Sequence, residues 1–289
     1  MPLHIPGVKS QNTLEVMARL GHAARGVVYC LVGGLALLAA ISSSGQTGGS
    51  ASALRTLVGH PFGRVLLVAI AIGLAFFAAW RALEAITDAD RCGSEWKGLA
   101  TRAAHLMSGC IYIGLAVSTL GLALGWGSGG GGEDGAAKDW TAWLMAKPLG
   151  HWLVGLVGLG VAAIGVVFAL KAWRGNVTKG LKCSAEAEKW AIPMGRVGFG
   201  ARGLVFLIIG GFMVAAAIHS RASEARGLGG ALEALAAQPF GWILLALTAA
   251  GLFAFGAFGI VEALYRHIDA PDLDEAGEAI ADGVRDLGS

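Results

Sequence analysis

The sequence predicts an all-α integral membrane protein, with six transmembrane helices as three tandem two-helix repeats in a pseudo-threefold arrangement. Three observations lead to this prediction. The 289 residues are 55% hydrophobic and only 15% charged, with a mean hydropathy of +0.63, whereas an average soluble chain is about 25% charged. Six apolar stretches are long enough to cross a bilayer, and short motifs recur three times along the chain.

The six apolar stretches are predicted to be transmembrane helices, because about 30 Å of hydrocarbon takes about 20 residues at about 1.5 Å each. Their charges gather at the ends instead of recurring at helical spacing, which excludes soluble amphipathic helices. The first stretch is followed by further membrane stretches and no clear cleavage site, so we interpret it as a retained helix. The approximate spans are Arg19 to Ile41, Phe62 to Ala85, Arg102 to Trp126, Leu149 to Trp173, Arg196 to His219 and Phe240 to Tyr265.

The distribution of basic residues predicts the orientation. Of the 22 Lys and Arg residues, 16 fall on the side that holds both termini and the 86–101 and 174–195 loops, and six fall on the other. The positive-inside rule therefore places both termini in the cytoplasm. The predicted organisation is a cytoplasmic N-terminal segment (1–16), three repeats (17–90, 98–175 and 194–266) and an acidic cytoplasmic tail (267–289).

The first, third and fifth stretches open with copies of one pattern. It reads RLGHAARGVVY from Arg19, RVGFGARGLVF from Arg196 and, more weakly, RAAHLMSGCIY from Arg102, where Ser108 replaces the second Arg. The other three stretches begin with a Pro, an apolar residue and a Gly, which we call the Pro motif. Its copies are Pro61-Phe62-Gly63, Pro148-Leu149-Gly150 and Pro239-Phe240-Gly241.

Each Pro is expected in the first turn of its helix, where the missing N–H has no intrahelical partner in any case. Apolar residues at helical spacing come before two of the Pro motifs and predict a short helix on the membrane surface. These residues are Leu54, Leu57 and Val58, and likewise Leu232, Leu235 and Ala236.

The Arg-x-Gly-x-x-x-Arg-Gly-x-x-aromatic openings and the Pro-Phe-Gly motifs resemble the bacterial membrane family known as domain of unknown function 1206. The resemblance covers about residues 17–266, and the second copy departs from the pattern at Ser108 and Lys171. It implies three tandem two-helix modules in a bacterial inner membrane. It implies no activity.

Two arginines require a partner, water or a function. Arg25 and Arg202 lie six residues, or about 9 Å, deeper than Arg19 and Arg196, which can reach the headgroups. An Arg near the bilayer centre costs about 2.5–3.5 kcal/mol on insertion scales. All four are therefore candidates for ligand binding or ion pairing, with Arg102 as a weaker one.

Acidic partners are predicted 23 residues after each Pro, where the chain has Glu84, Lys171 and Glu262. The second repeat lacks both the inner Arg and the Glu. This joint loss predicts ion pairs within each hairpin, Arg25 with Glu84 and Arg202 with Glu262. Arg81, which has no counterpart in the other repeats, is expected to pair with Glu84 at i+3.

His22 and His105 occupy equivalent positions, so haem ligation between two helices stands beside a simple hydrogen-bonding role. Tyr29 and Tyr112 also recur, which favours packing. No metal site is predicted, and catalytic motifs such as Gly-x-Ser-x-Gly and His-Glu-x-x-His do not occur, so we predict that the protein is not an enzyme. A net charge of +2 argues against nucleic-acid binding.

Two functions remain open. In the first, a cytoplasm-facing polar vestibule binds or transports a small hydrophobic or anionic ligand, such as a lipid, a quinone-like molecule or a solute. In the second, the protein is a non-transporting scaffold or regulatory or assembly subunit for a protein partner, and its buried charges are structural. The outer halves of the six stretches have almost no ionisable residues, which argues against a continuous ion pathway.

Overall fold

The computed structural model describes residues 7–41, 50–87, 96–126, 132–175, 177 and 185–265, and this part of the chain is helical apart from short turns. Its helices are α1 (Gly7–Ile41), α2 (Ser50–Thr56), α3 (Gly63–Thr87), α4 (Trp96–Leu124), α5 (Gly132–Met145), α6 (Gly150–Arg174), α7 (Ala185–His219), α8 (Leu228–Ala236) and α9 (Gly241–Tyr265). Among these, α1, α3, α4, α6, α7 and α9 are long and apolar enough to span a membrane.

The predicted all-α fold of a multi-pass membrane protein is confirmed. The six predicted spans correspond to the six long helices, although α1, α4 and α7 begin six to twelve residues earlier than expected. The short helices predicted before Pro61 and Pro239 are confirmed as α2 and α8, and their Leu54 and Leu232 are buried against the long helices. Their position on the membrane surface stays a prediction. The predicted acidic tail, 267–289, lies outside the described residues.

The six long helices lie side by side in the spatial order α4, α3, α1, α9, α7, α6. Three close pairs join different repeats, namely α3 with α4, α6 with α7, and α9 with α1. The first and third hairpins also pack internally, α1 on α3 and α7 on α9. In the second hairpin, α4 and α6 make at most marginal contact. Tyr112 on α4 and Phe168 on α6 both approach Arg202 on α7, so the row curves into an open ring whose one gap, between α4 and α6, we call the seam.

Equivalent small residues hold the three between-repeat pairs together. A Cβ on Gly26 would lie 2.7 Å from the Gly256 carbonyl oxygen, and one on Gly203 would lie 2.9 Å from that of Gly165. A Cβ on Gly109 would lie 3.3 Å from the carbonyl oxygen of Ala78. The contacted residues, Ala78, Gly165 and Gly256, each lie 17 positions after the Pro of their own repeat. The three interfaces therefore share one geometry, in which small residues let helix backbones approach closely.

The two closed hairpins also share their contacts. In the first, a Cβ on Gly21 would lie 2.6 Å from the backbone nitrogen of Phe77, and Gly73 lies directly against the Ala24 side chain. Both contacts therefore require a glycine. The third hairpin repeats them with Gly198 on Phe255 and Gly251 on Ala201.

The second hairpin has larger residues at these positions. Ala104 stands where the other repeats have Gly, and Met107 stands where they have Ala. Gly160 is the counterpart of Gly73, yet a Cβ placed on it would find no atom within 4 Å. The bulk of Met107 and Ala104 accounts for the separation of α4 from α6.

The Pro motif forms a turn, and the prediction that Pro lies in the first helical turn is wrong. Helices α3, α6 and α9 begin at the Gly of each motif, two residues after the Pro. The residue between them is left-handed, with φ of 63°, 59° and 57° at Phe62, Leu149 and Phe240. The Gly is required because a Cβ there would collide with a carbonyl oxygen of the preceding helical segment, that of Leu57, Leu144 or Ala236.

Two exposed tryptophans on α6 mark the boundaries of the membrane. Trp152 and Trp173 are 70% and 83% exposed. Their separation of 21 residues corresponds to about 32 Å, close to the hydrocarbon thickness of about 30 Å, and Trp favours the interfaces. We call the end that holds Trp173, Arg19, Arg102 and Arg196 the basic end, and the other the cap end.

Candidate functional site

The inward-facing side chains near the basic end form a cluster of charges and aromatic rings. One of the rings, Phe168, lies five residues from Trp173 on α6, which places it about 8 Å inside the membrane boundary. We call this group the central cluster. It comprises Arg25, Arg81, Glu84, Lys171, Arg202 and Glu262, with Tyr29, Phe77, Tyr112, Phe168, Phe199, Phe206 and Phe255 around them.

The ion pair of Arg25 joins the first and third repeats. Its Nη2 donates to Oε2 of Glu262 at 2.6 Å, and both residues are buried. The predicted pair of Arg25 with Glu84 is therefore wrong. Glu262 also interacts electrostatically with Arg202, as predicted, but its direct ion pair is with Arg25. The carboxylate at the end of an even-numbered span faces the next repeat because the between-repeat helices pack most closely.

Glu84 lies at the equivalent interface, between α3 and α4, but its cation comes from its own helix. Nη1 of Arg81 donates to Oε2 at 2.6 Å, and Nε1 of Trp80 donates to Oε1 at 2.7 Å. The predicted i+3 pair of Arg81 with Glu84 is confirmed. The α4 counterpart of Arg25 is Ser108, and Nδ1 of His105 lies 3.9 Å from Glu84. Arg81 thus supplies the positive charge that Arg25 supplies at its own interface and that Ser108 cannot supply here.

Arg202 lies at the third equivalent interface, between α6 and α7. The counterpart of Glu262 there is Lys171, and Arg202 has no direct ion pair among the described residues, although it interacts electrostatically with Glu262. Arg202 is only 9% exposed, and its Nε has no hydrogen-bond partner. Its guanidinium carbon lies 4.6 to 5.2 Å from the centres of four rings, those of Phe255, Phe168, Tyr29 and Phe206.

Arg202 also lies behind the seam. It contacts Phe168 on α6, on one side of the gap, and interacts with Tyr112 on α4, on the other. The Tyr112 oxygen accepts a hydrogen bond from the Arg202 guanidinium, but the buried hydroxyl proton has no acceptor among the described residues. The Nε–H of Arg202, like those of Arg25 and Arg81, and the phenol O–H therefore lack an acceptor, which costs free energy unless a further group accepts from them.

The charges of the central cluster do not balance. It contains four cations, Arg25, Arg81, Lys171 and Arg202, and two carboxylates, those of Glu84 and Glu262. Arg25 and Arg81 each form an ion pair with one of these carboxylates, so Arg202 is the buried guanidinium of the cluster that has no direct ion pair among the described residues. This arrangement suits an anionic group.

Comparison with known proteins connects these repeats to a family. A family model described as Domain of Unknown Function (DUF1206) matches residues 20–88, 103–175 and 197–266, which are the three hairpins. The chain belongs to this family. It is also 35% identical over 259 residues to the uncharacterized protein YxxB of Bacillus subtilis (strain 168), covering 88% of this chain and 92% of that one. No solved structure matches.

Each DUF1206 repeat begins with an outer Arg that binds the end of a neighbouring helix. Arg19 donates to the carbonyl oxygen of Leu264 at 3.0 Å and also pairs with Glu15 at 2.6 Å. Arg102 and Arg196 bind the ends of α3 and α6 in the same way. All three arginines donate to carbonyls that lack an intrahelical partner. The acceptors are Ala85 and Ile86 for Arg102, at 2.5 and 3.1 Å, and Ala172 and Trp173 for Arg196, at 3.0 and 3.4 Å.

The two candidate histidines lie near Phe77 and Glu84. His22 is 1% exposed, with its Nδ1 2.8 Å from the Ala18 carbonyl oxygen and its ring edge-on to Phe77. His105 lies beside Glu84. In the described residues, no group of three His, Cys, Asp or Glu side chains is placed to hold a metal ion.

Sequence reasoning missed the aromatic residues of the even-numbered spans. Phe77 and Phe255 each lie 16 residues after the Pro of a DUF1206 repeat, and Phe168 lies 20 residues after Pro148. Phe77 contacts Arg25, and Phe255 contacts both inner arginines. Aligning the repeats on the Pro motif, as we did for Glu84, identifies Phe77 and Phe255 as a repeated pair.

The pseudosymmetry of the DUF1206 repeats makes the role of Arg81 testable. Arg81→Gln removes the cation that pairs with the buried Glu84 and is expected to cost about 3 kcal/mol of stability. Ser108→Arg, added to Arg81→Gln, places a guanidinium at the position equivalent to Arg25 and should restore at least half of the loss. Thermal unfolding in detergent measures both changes, and Ser108→Lys is the control that lacks the forked guanidinium. A double variant no more stable than Arg81→Gln would contradict the equivalence of the interfaces.

Proposed function

We propose that this DUF1206 protein binds the anionic group of a membrane-soluble amphiphile, with Arg202 as the residue that holds the anion. The observation that carries the proposal is the contrast between Arg25 and Arg202. Arg25 has its carboxylate at 2.6 Å, whereas Arg202, equally enclosed, has Lys171 at the equivalent position. A guanidinium offers a planar fork of donors to a carboxylate or a phosphate. A bound anion would offset the cost of burying an Arg that has no direct ion pair among the described residues.

The proposal is binding, not a transmembrane pathway. The cap-end halves of the six segments that can span the membrane, such as Glu15–Ile41 in α1 and Glu188–His219 in α7, contain no Asp, Glu, Lys or Arg beyond their terminal turns. A pathway for ions through that depth requires polar or water-lined surface. A ligand with one charged group and an apolar remainder fits the distribution of charge better. The proposed function is binding alone, without a catalytic step or a cofactor.

The location that we propose is a bacterial inner membrane, with the basic end and both termini on the cytoplasmic side. The 16 basic residues on that side support this orientation. The central cluster then opens toward the leaflet that faces the cytoplasm, and membrane lipids are the nearest source of anionic amphiphiles.

Binding of tetradecanoate to the purified protein, measured by scintillation proximity, tests the proposal. Tetradecanol, which has a chain of the same length and no charge, is the control ligand. Arg202→Gln is expected to weaken tetradecanoate binding at least tenfold, because a charged hydrogen bond contributes about 1.5–3 kcal/mol. Arg196→Gln, on the same helix with the same change of charge, should bind as the wild type does. Equal binding by the Arg202→Gln variant and the wild type, or equal binding of the alcohol and the acid, would refute the proposal.

A second candidate function is that of a scaffold or assembly subunit. The pairs of Arg25 with Glu262 and Arg81 with Glu84 favour it, since both are internal and fix neighbouring helices. This function predicts that a membrane protein co-purifies with the chain in mild detergent, in stoichiometric amount, and that Arg202→Gln does not displace it.

A further inference from the structure

We propose that the seam between α4 and α6 is a lateral port, in which the acyl chain of the bound amphiphile lies and through which it enters from the bilayer. This inference rests on the proposed function and names its ligand class as an anionic lipid with a hydrocarbon tail. The seam is the one position in the ring of described helices where neighbours do not pack together.

The two helices beside the seam are each held on one side. Among the long helices, α4 packs on α3, and α6 packs on α7. Only 17% of the most apolar part of α6 is buried, compared with 50% for α9. Large apolar side chains on both helices are exposed, which is expected where protein faces lipid. They include Ile111, Ile113 and Val117 on α4, and Leu156, Leu159 and Val167 on α6.

Gly160 marks the space that the seam leaves. Its counterparts, Gly73 and Gly251, lie directly against alanine side chains, whereas Gly160 has nothing within 4 Å of a Cβ. It lies eight residues, or about 12 Å, from Phe168 in the direction of the cap end. The open space beside Gly160 therefore lies on the cap-end side of the charged part of the seam.

The charges along the seam set the orientation of the ligand. Arg202 lies at the back of the gap, and Lys171 lies three residues beyond Phe168 toward the basic end. Ile164 lies one turn from Gly160, and Met107 occupies the position on α4 that is equivalent to Ala24, so both helices have apolar side chains along this part of the seam. A ligand whose anionic head contacts Arg202 and whose tail extends toward the cap end matches both the charged and the apolar part of the seam. An apolar helix from a partner would fill the seam but would present no anion to Arg202.

Photolabelling tests the port with a tetradecanoate analogue that carries a diazirine near the middle of its chain. The full chain is reconstituted in lipid nanodiscs, irradiated and digested, and the adducts are mapped by mass spectrometry. Adducts are expected on α4 near Met107 and on α6 near Gly160. Gly160→Leu fills the open space and should reduce these adducts at least tenfold, with normal folding because no atom is displaced.

The matched control is Gly211→Leu on α7, which adds the same side chain at another position with nothing within 4 Å. It should label as the wild type does. If Gly160→Leu labels normally while Arg202→Gln abolishes labelling, the port is refuted and the proposed function stands. If Arg202→Gln has no effect on labelling, the proposed function fails as well. Adducts spread evenly over α3 and α9, or a second copy or partner protein crosslinked across the seam, would overturn the inference.

Discussion

Gly256→Ala is expected to prevent the chain from reaching its folded state. A Cβ at this position would lie 2.5 Å from the backbone nitrogen of Cys30 and 2.5 Å from the carbonyl oxygen of Gly26. Both atoms belong to the backbone of α1, so no side-chain rotation relieves the clash, and the helices must separate. Overpacking typically costs about 1–3 kcal/mol where side chains rearrange. We expect a larger loss here, because α1 and α9 join the first repeat to the third.

The measurement is the yield of monodisperse protein after membrane extraction, followed by thermal unfolding in detergent. Gly211→Ala is the control, since a Cβ on Gly211 meets nothing within 4 Å. It should leave stability unchanged or raise it slightly, because Ala favours a helix more than Gly does. Normal yield and stability of Gly256→Ala would contradict the close approach of α1 and α9.

The helices were predictable because their signal is local. About 20 apolar residues must span the hydrocarbon, and a repeated Pro motif fixes where three of the helices begin. The charges of the site were found in the same way, by position within the repeat. Arg25, Glu84, Arg202 and Glu262 all lie in the central cluster, and the outer arginines also recur by position.

The pairing of those charges was not predictable, because the repeat gives the same spacing for both alternatives. Glu84 and Glu262 have the same position within their repeats. Arg25 could therefore pair with Glu84 of its own hairpin or with Glu262 of the third repeat. The joint loss of Arg and Glu in the second repeat fits both. Only the spatial order of the helices, with α1 closest to α9, assigns Arg25 to Glu262.

The seam between α4 and α6 could not be predicted from the sequence, for a related reason. Met107 and Ala104 are visible as departures from the repeat, but the sequence does not show that their counterparts, Ala24 and Gly21, form a hairpin contact. Once that contact is known, the larger side chains explain the gap. The pseudo-threefold arrangement predicted from the sequence thus describes the between-repeat interfaces better than it describes the hairpins.

Arg25→Gln and Arg202→Gln are expected to affect stability unequally, although the two arginines occupy equivalent positions. Removing one partner of a buried ion pair costs about 3–5 kcal/mol, because the remaining charge loses its neutralising contact. Arg25→Gln should lower the unfolding free energy by this amount, since Glu262 loses its 2.6 Å partner. Glu262→Gln should cost about as much, and the double variant less than the sum of the two.

Arg202→Gln should destabilise the ligand-free protein less than Arg25→Gln does, because no carboxylate loses a direct ion-pair partner. It removes four contacts with aromatic rings, which are favourable by about 0.5–2 kcal/mol each, but it also removes a cation whose burial costs about 2.5–3.5 kcal/mol. The two effects are opposite in sign and offset each other in part. Unfolding in detergent after ligand removal measures both variants. If Arg202→Gln were as destabilising as Arg25→Gln, Arg202 would have a structural role, and the contrast that supports ligand binding would be lost.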